Sequence, residues 1–307
     1  MKAFFHSLDA MRQGSIAILF ASVLWGTTGT VASFAPNISP LAIGAFSMGV
    51  AGLLLGLFFR RHIRNDWRKL TQRPVLLAIG AFSLAIYPLA FYTSMRLAGV
   101  AVGTVISIAS APFFAVIIEK TFGNAPALTT RWVLSAIVGT IGIALLAVSE
   151  TSHGKDTVQN ASLLLGISLG LVAALAYTLY AWVAKQLIQH DVNAKSAMGS
   201  IFLLGALLLL PSLYFTGQHL FSTVTNALVV SYMALIPMFL GYVCFGFGLS
   251  FVNTSKATLL TLFEPVVAAI LAVVIVGELI SPFGWLGMAM ISFCLLVQAS
   301  EKQTLAQ

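Results

Sequence analysis

Of the 307 residues, 59% are hydrophobic and 8% are charged, and the mean hydropathy is +0.98. A water-soluble domain carries about 25% charged residues to cover its surface, so the composition argues against a soluble enzyme. The net charge of +7 comes from cations scattered between apolar runs rather than gathered on one basic face, which argues against nucleic acid as a partner.

Apolar runs read against polar, Gly and Pro breakers predict an all-α membrane protein of ten transmembrane helices, each of roughly 20 residues. They fall at 14–34, 40–59, 74–95, 99–119, 130–149, 163–188, 196–215, 226–249, 254–276 and 283–299. The first run follows Lys2, Asp9 and Arg12, is too long for a signal-peptide core, lacks a clean cleavage site and reads as a permanent span. Connections are short, apart from a basic stretch at 60–73 and a polar stretch at 150–162. The polar stretch divides the chain into a first five-helix half (1–150), an extracytoplasmic linker (151–160) and a second five-helix half (161–307). No room remains for a separate soluble domain.

Every Lys and Arg except Arg96 and Lys155 falls on one side of this layout. The positive-inside rule therefore places both termini in the cytoplasm. The cluster Arg60, Arg61, Arg64, Arg68, Lys69 and Arg73 reads first as a solvated, orienting loop, with binding of anionic headgroups a secondary role. Cys244 and Cys294 lie inside apolar runs and read as small core residues, not as a disulfide or a metal cluster. Trp67, Trp132 and Trp285 lie near span ends, where interfacial anchors belong.

The chain also resembles itself. Pro112 and Pro265 share one offset with Trp132 and Trp285, while Gly14 with Gly166, Val31 with Val183 and Trp25 with Tyr177 share an offset one residue shorter. Because each half has an odd number of spans, the second half must enter the membrane with opposite polarity, which makes this an inverted 5+5 repeat. Two related arrangements around a midplane site follow from such symmetry, and alternating access is the mechanism it supports.

Pro88, Pro112, Pro237 and Pro265 sit in spans three, four, eight and nine, the corresponding pairs of the two halves. Each removes a backbone hydrogen bond, so together they read as hinges or as kinks that open a central cavity. Glu264 lies halfway along span nine, where a charge costs about 2.5 kcal/mol or more. Two readings stand for it: a site for a substrate amine or a proton, or a buried carboxyl tying its helix to a neighbour. The stripes Thr258, Thr261, Glu264 and Thr104, Ser107, Ser110 each share one helical face, lining a path or bonding to helix backbone. Mid-span aromatics are numerous: Trp25, Tyr87, Phe91, Tyr92, Tyr177, Tyr180, Trp182, Tyr242, Phe245 and Phe263. Such walls hold apolar or aromatic side chains and, by cation–π attraction, an ammonium group. The expected cavity is bounded by spans one, three, four, six, eight and nine, with Trp25, Tyr87, Tyr92, Tyr177, Tyr242 and Glu264 as substrate-binding walls.

Leu24-Trp25-Gly26, Leu262-Phe263-Glu264-Pro265-Val266, and Gly277-Glu278 followed by Trp285-Leu286-Gly287 together resemble the drug/metabolite transporter superfamily in its ten-span EamA-type branch. Ala111-Pro112-Phe113 with Trp132 looks like a weaker copy in the first half. By overall similarity the chain looks most like amino-acid exporters of the YddG type. The resemblance implies a monomeric secondary transporter of the bacterial inner membrane that exports amino acids, aromatic and other, with no cofactor and no metal. Export of other small metabolites or cationic drugs is the alternative. Small multidrug members of the superfamily exchange protons on a glutamate in the first helix, whereas span one here has no acidic residue. No phosphate-binding Gly-Lys loop supports an ATP-driven pump, and no H-E-x-x-H or G-x-S-x-G supports an intramembrane enzyme. A channel remains the other rival.

Overall fold

The computed structural model describes residues 2–122, 157–252 and 263–299, with isolated positions at 130, 134, 137–139, 141–142, 145, 257 and 260–261. Trp132, Thr258, Leu262, Lys155 and most of the predicted fifth span lie outside the described residues. The described residues form helices joined by short turns: α1 (Lys2–Gly26), α2 (Thr28–Ser33), α3 (Pro40–Phe58), α4 (Arg60–Asn65), α5 (Trp67–Thr71), α6 (Pro74–Ala98), α7 (Val100–Ala109), α8 (Ala111–Phe122), α9 (Thr157–Gln189), α10 (Ala194–Leu209), α11 (Leu213–Thr216), α12 (Val224–Met233), α13 (Gly241–Phe251), α14 (Phe263–Leu271) and α15 (Pro282–Ala299). Two π-helical stretches, Ala234–Leu240 and Ala272–Val276, continue α12 and α14. Because α9 begins at Thr157, it starts inside the segment expected to be linker.

Seven helical segments are long and apolar enough to cross a membrane, and two shorter apolar helices, Phe263–Val276 and Pro282–Cys294, stand where the ninth and tenth spans are predicted. Lipid offers no partner to a backbone amide, so such runs must close their hydrogen bonds internally as helices. Local chemistry sets the starts. Ser39 caps α3 by accepting from the Ala42 N–H with Pro40 in the first turn, Asn193 caps α10, and Thr223 caps α12. Gly99, at φ +93°, turns α6 directly into α7, a backbone region that favours glycine.

Packing is mostly between the halves. Helix α9 lies along α6, α10 along α3, α1 along α13 and α14, and α7 along α9 and α14. Glycines set the closest crossings. A Cβ on Gly14 would meet Phe251 at 2.9 Å, and one on Gly166 would meet Leu97 at 2.9 Å and Ala98 at 3.0 Å. At Gly44 a Cβ would stand 2.8 Å from the Pro88 carbonyl oxygen and 3.1 Å from the Tyr92 ring. Replacing Gly44 by Ala should therefore push α3 from α6 at a cost of about 1–3 kcal/mol. The expected result is a melting temperature in detergent several degrees lower; an unchanged value would show that the two helices have slack.

At one end of the bundle the basic loop meets the turn before α10. Asp66 accepts from the Asn193 N–H at 2.9 Å and pairs with Lys69, which also donates to the Asp191 carbonyl. Burial pushes the Asp66 carboxyl up, but the nearby Ser196 hydroxyl, the Asn193 N–H and Lys69 together hold it below its ordinary value of 3.8. Arg60, Arg61, Arg64 and Arg68 are exposed, as is Trp67. At the opposite end Arg96 donates to the Pro36 and Ile38 carbonyls, both at 3.0 Å.

Candidate functional site

Trp25, Tyr87, Tyr92, Tyr177, Tyr242 and Glu264 come from α1, α6, α9, α13 and α14, and all six are buried. They gather at the centre. Trp25 lies 4.7 Å from Tyr242 and 5.3 Å from Phe245 between ring centroids. Tyr87 lies 5.8 Å from Tyr177 and 5.9 Å from Tyr180, and Tyr180 reaches Tyr242 at 6.3 Å. These distances are those of rings in contact, in tilted and edge-on arrangements that suit their quadrupoles.

Polar atoms sort the rings further. The hydroxyls of Tyr180 and Tyr242 bond each other at 2.8 Å, and the Tyr177 hydroxyl reaches that of Thr261 at 3.3 Å. The Trp25 indole donates to the Pro237 carbonyl at 2.8 Å, and its nitrogen fills the notch left by Gly241. Its polar edge is therefore committed to the π-helical stretch, and it offers the centre a ring face. Ser94, Ser107 and Ser110 bury hydroxyls that have no partner among the described residues. Glu264 lies within electrostatic reach of Tyr87, Tyr92, Tyr177 and Tyr242. It is 2% exposed and the only acidic or basic residue among the described buried ones.

Three of the four prolines stand at departures from regular α-helix. Helices α7 and α8 are interrupted at Ser110, just before Pro112; Pro237 lies within a π-helical stretch; Pro265 is in the first turn of α14. Pro88 lies inside the unbroken α6. The carbonyl before each of the paired prolines faces the partner half: Ala111 O accepts from the Thr178 hydroxyl at 3.1 Å, and Glu264 O stands 3.0 Å from where a Gly26 Cβ would be.

Toward the face opposite the basic loop, α7 lies over the centre. All ten residues of α7 are buried, and α7 packs on α14. Gly277, at φ +80°, ends the π-helical stretch and delivers Glu278. The Glu278 carboxylate accepts from the Val100 N–H at 2.6 Å and the Ala101 N–H at 3.0 Å, capping the first turn of α7 from the other half.

The structure corrects part of the aromatic list. Phe263 is 46% exposed and points away from the centre, and Trp182 packs on Phe122 in the terminal turn of α8. Conversely Tyr180, fully buried, and Phe202, from a span not expected to border the site, are central; Phe202 touches Tyr242 at 4.5 Å. Tyr180, named among the mid-span aromatics but not among the walls, is one turn from Tyr177 on the same face. Phe202 sits in a span with no mid-helix proline or acid to mark it. Of the hydroxyl stripes, Thr104 donates to the Met95 sulfur and Thr261 meets Tyr177, so neither is spent on its own helix backbone in these bonds.

The EamA-like transporter family matches residues 12–148 and again 164–297. The chain belongs to the EamA-like transporter family. This EamA-like protein is 33% identical over 303 residues, 95% of its length and 96% of the relative's, to the uncharacterized transporter YwfM of Bacillus subtilis. It is 26% identical over 293 residues, 88% of its length and 91% of the relative's, to a probable terminal-alkyne amino-acid exporter of Streptantibioticus cattleyicolor. A solved crystal structure, 17% identical, superposes with a TM-score of 0.67 over 92% of this chain and 95% of that one, which shows a shared fold. The protein is thus a multi-pass membrane transporter.

Proposed function

We propose that this EamA-like transporter is a secondary exporter of amino acids, aromatic and other mainly neutral ones, and of related small metabolites bearing an amino group. The observation that carries the reading is the central constellation: one buried carboxylate, Glu264, grouped with four tyrosines and the Trp25 ring face where helices of both halves meet. Glu264 takes the substrate's ammonium, and the aromatic faces take its side chain and share the cation. The likeness to an amino-acid exporter supports the same class.

The mechanism is alternating access in an inverted 5+5 repeat, both termini in the cytoplasm of a bacterial inner membrane. The packing supports this. Exchanging the halves turns the pair α6 with α9 into α13 with α1, and α8 with α9 into α14 with α1, all of which are present. In this cycle the Glu278 bonds to the start of α7 would hold the extracytoplasmic end together in one of the two states. Pro112, Pro237 and Pro265 supply the hinges, with Pro88 a kink within an unbroken helix. We take a monomer as the working unit.

Purified protein in liposomes preloaded with phenylalanine should accumulate labelled phenylalanine by counterflow, and the exchange should saturate. A channel would dissipate the label without overshoot. Flux linear in concentration, or none for any of the twenty amino acids, would overturn the reading.

A further inference from the structure

The basic segment 59–73 joins α3 to α6, two of the helices long and apolar enough to cross a membrane, so it lies at a bilayer face, at the level of the headgroups. A loop that only orients the chain needs charge and no structure. This one is folded. The Ile63 N–H donates to the Phe59 carbonyl at 3.0 Å, the Asp66 N–H to His62 at 3.0 Å and the Leu70 N–H to Asp66 at 3.0 Å, so α4 and α5 follow each other as one helical stretch. One side of it is anchored. Phe59 and Leu70 are buried, a Cβ on Gly199 of α10 would meet Ile63 at 3.0 Å, and Asp66 accepts from the Asn193 N–H.

The cations share a different face. Arg60, Arg64 and Trp67 stand at i, i+4 and i+7, and Arg61 and Arg68 flank Arg64 at i−3 and i+4, so the five side chains leave the helix on one side. All five are exposed. None of the four arginines pairs with an acid among the described residues, because Asp66, the one acid of the segment, is turned to Asn193 and Lys69. Like charges held side by side on an anchored face repel until an anion comes between them. The planar fork of a guanidinium matches two oxygens of a phosphate group. Trp67, 61% exposed next to Arg68, is the residue type that settles where headgroups give way to acyl chains. Free phosphate would use the arginines and gain nothing from the indole, whereas a phospholipid offers a partner to both.

We infer that the face of α4 and α5 bearing Arg60, Arg61, Arg64, Trp67 and Arg68 is a binding site for the headgroup of an anionic phospholipid of the adjoining leaflet. The site stands apart from the central cluster and is independent of what the protein transports.

The test titrates phosphatidylglycerol or phosphatidylcholine into the full-length protein in a neutral detergent and counts bound lipid by native mass spectrometry, with and without inorganic phosphate. Phosphatidylglycerol should bind at least about tenfold more tightly than phosphatidylcholine. The combined variant Arg60→Gln, Arg61→Gln, Arg64→Gln and Arg68→Gln, checked for monodispersity and helical content, should bring the two lipids to within about threefold of each other. Trp67→Ala should weaken phosphatidylglycerol by about threefold or more while leaving a preference for it. A control lacking two exposed cations elsewhere, Arg12→Gln with Lys120→Gln, should keep the preference of the unaltered protein. Equal binding of the two lipids to the unaltered protein would overturn the inference. A preference that survives the fourfold variant would overturn it too, and so would one lost equally in the control, since diffuse charge would then be its source. Millimolar inorganic phosphate that displaces phosphatidylglycerol completely would assign the arginines to a free anion and overturn the lipid reading. The comparison of lipids on the unaltered protein decides the matter even if the fourfold variant does not fold.

Discussion

Truncating Trp25 to Ala should lower stability by about 3–5 kcal/mol and abolish measurable counterflow. The indole is 4% exposed, touches Tyr242 and Phe245, and donates to the Pro237 carbonyl. It packs over Gly241, where a Cβ would come within 2.6 Å of its nitrogen. Removing it opens a cavity at the crossing of α1 and α13 and frees the π-helical stretch to re-form as α-helix. Trp25→Phe separates the two contributions: it keeps a ring against Tyr242 and loses the hydrogen bond, so it should cost only about 0.5–1.5 kcal/mol and retain part of the exchange. Thermal melts and counterflow on the two variants check this. An alanine variant that melts with the unaltered protein would show that the indole does not brace the crossing.

Replacing Glu278 by Ala should unlatch the end at which α7 meets the turn after α14. Two backbone donors, those of Val100 and Ala101, lose a charged acceptor supplied by the opposite half. Because Glu278 is only partly buried, the loss is about 1–3 kcal/mol rather than that of a fully desolvated pair. On the proposed alternating-access cycle that energy is withdrawn from one of two states, so the population open on this face should rise by roughly tenfold or more. A single cysteine at Val105, buried at 2% within α7, should then react with a membrane-impermeant thiol reagent faster than in the parent, both carrying replacements of Cys244 and Cys294. Equal labelling rates would show that Glu278 staples a static helix end. Glu278→Gln, which keeps an acceptor, should fall between the two.

The length and the near absence of charge identified a membrane protein without any periodicity argument. Seven of the predicted spans coincide with described long apolar helices to within a few residues. The acid and the prolines were equally conspicuous, because a carboxyl or a missing amide is expensive in lipid wherever its helix turns. The repeat was read from paired residues such as Gly14 and Gly166, which in the structure make close crossings on Phe251 and on Ala98. Trp25, Tyr87, Tyr92, Tyr177, Tyr242 and Glu264, chosen for being polar or amphipathic in mid-span, do come together in the bundle.

What only the tertiary structure decided is direction. A face turned to lipid and a face turned to other helices are equally apolar, so a span carries little contrast around its circumference from which orientation can be read. Hence Phe263 points outward although it adjoins Glu264, while Phe202, in a span with no mark of its own, lies on Tyr242. The same holds for long-range polar bonds. That the Trp25 nitrogen is committed to Pro237, and that Glu278 crosses to the start of α7, depends on how two halves of the chain settle against each other. That settling is fixed by glycine crossings and ring packing, which have no signature in hydropathy. The sequence by itself therefore determined the solvent, the helices and the expensive groups within them; the packing of the two halves decided which of those groups meet.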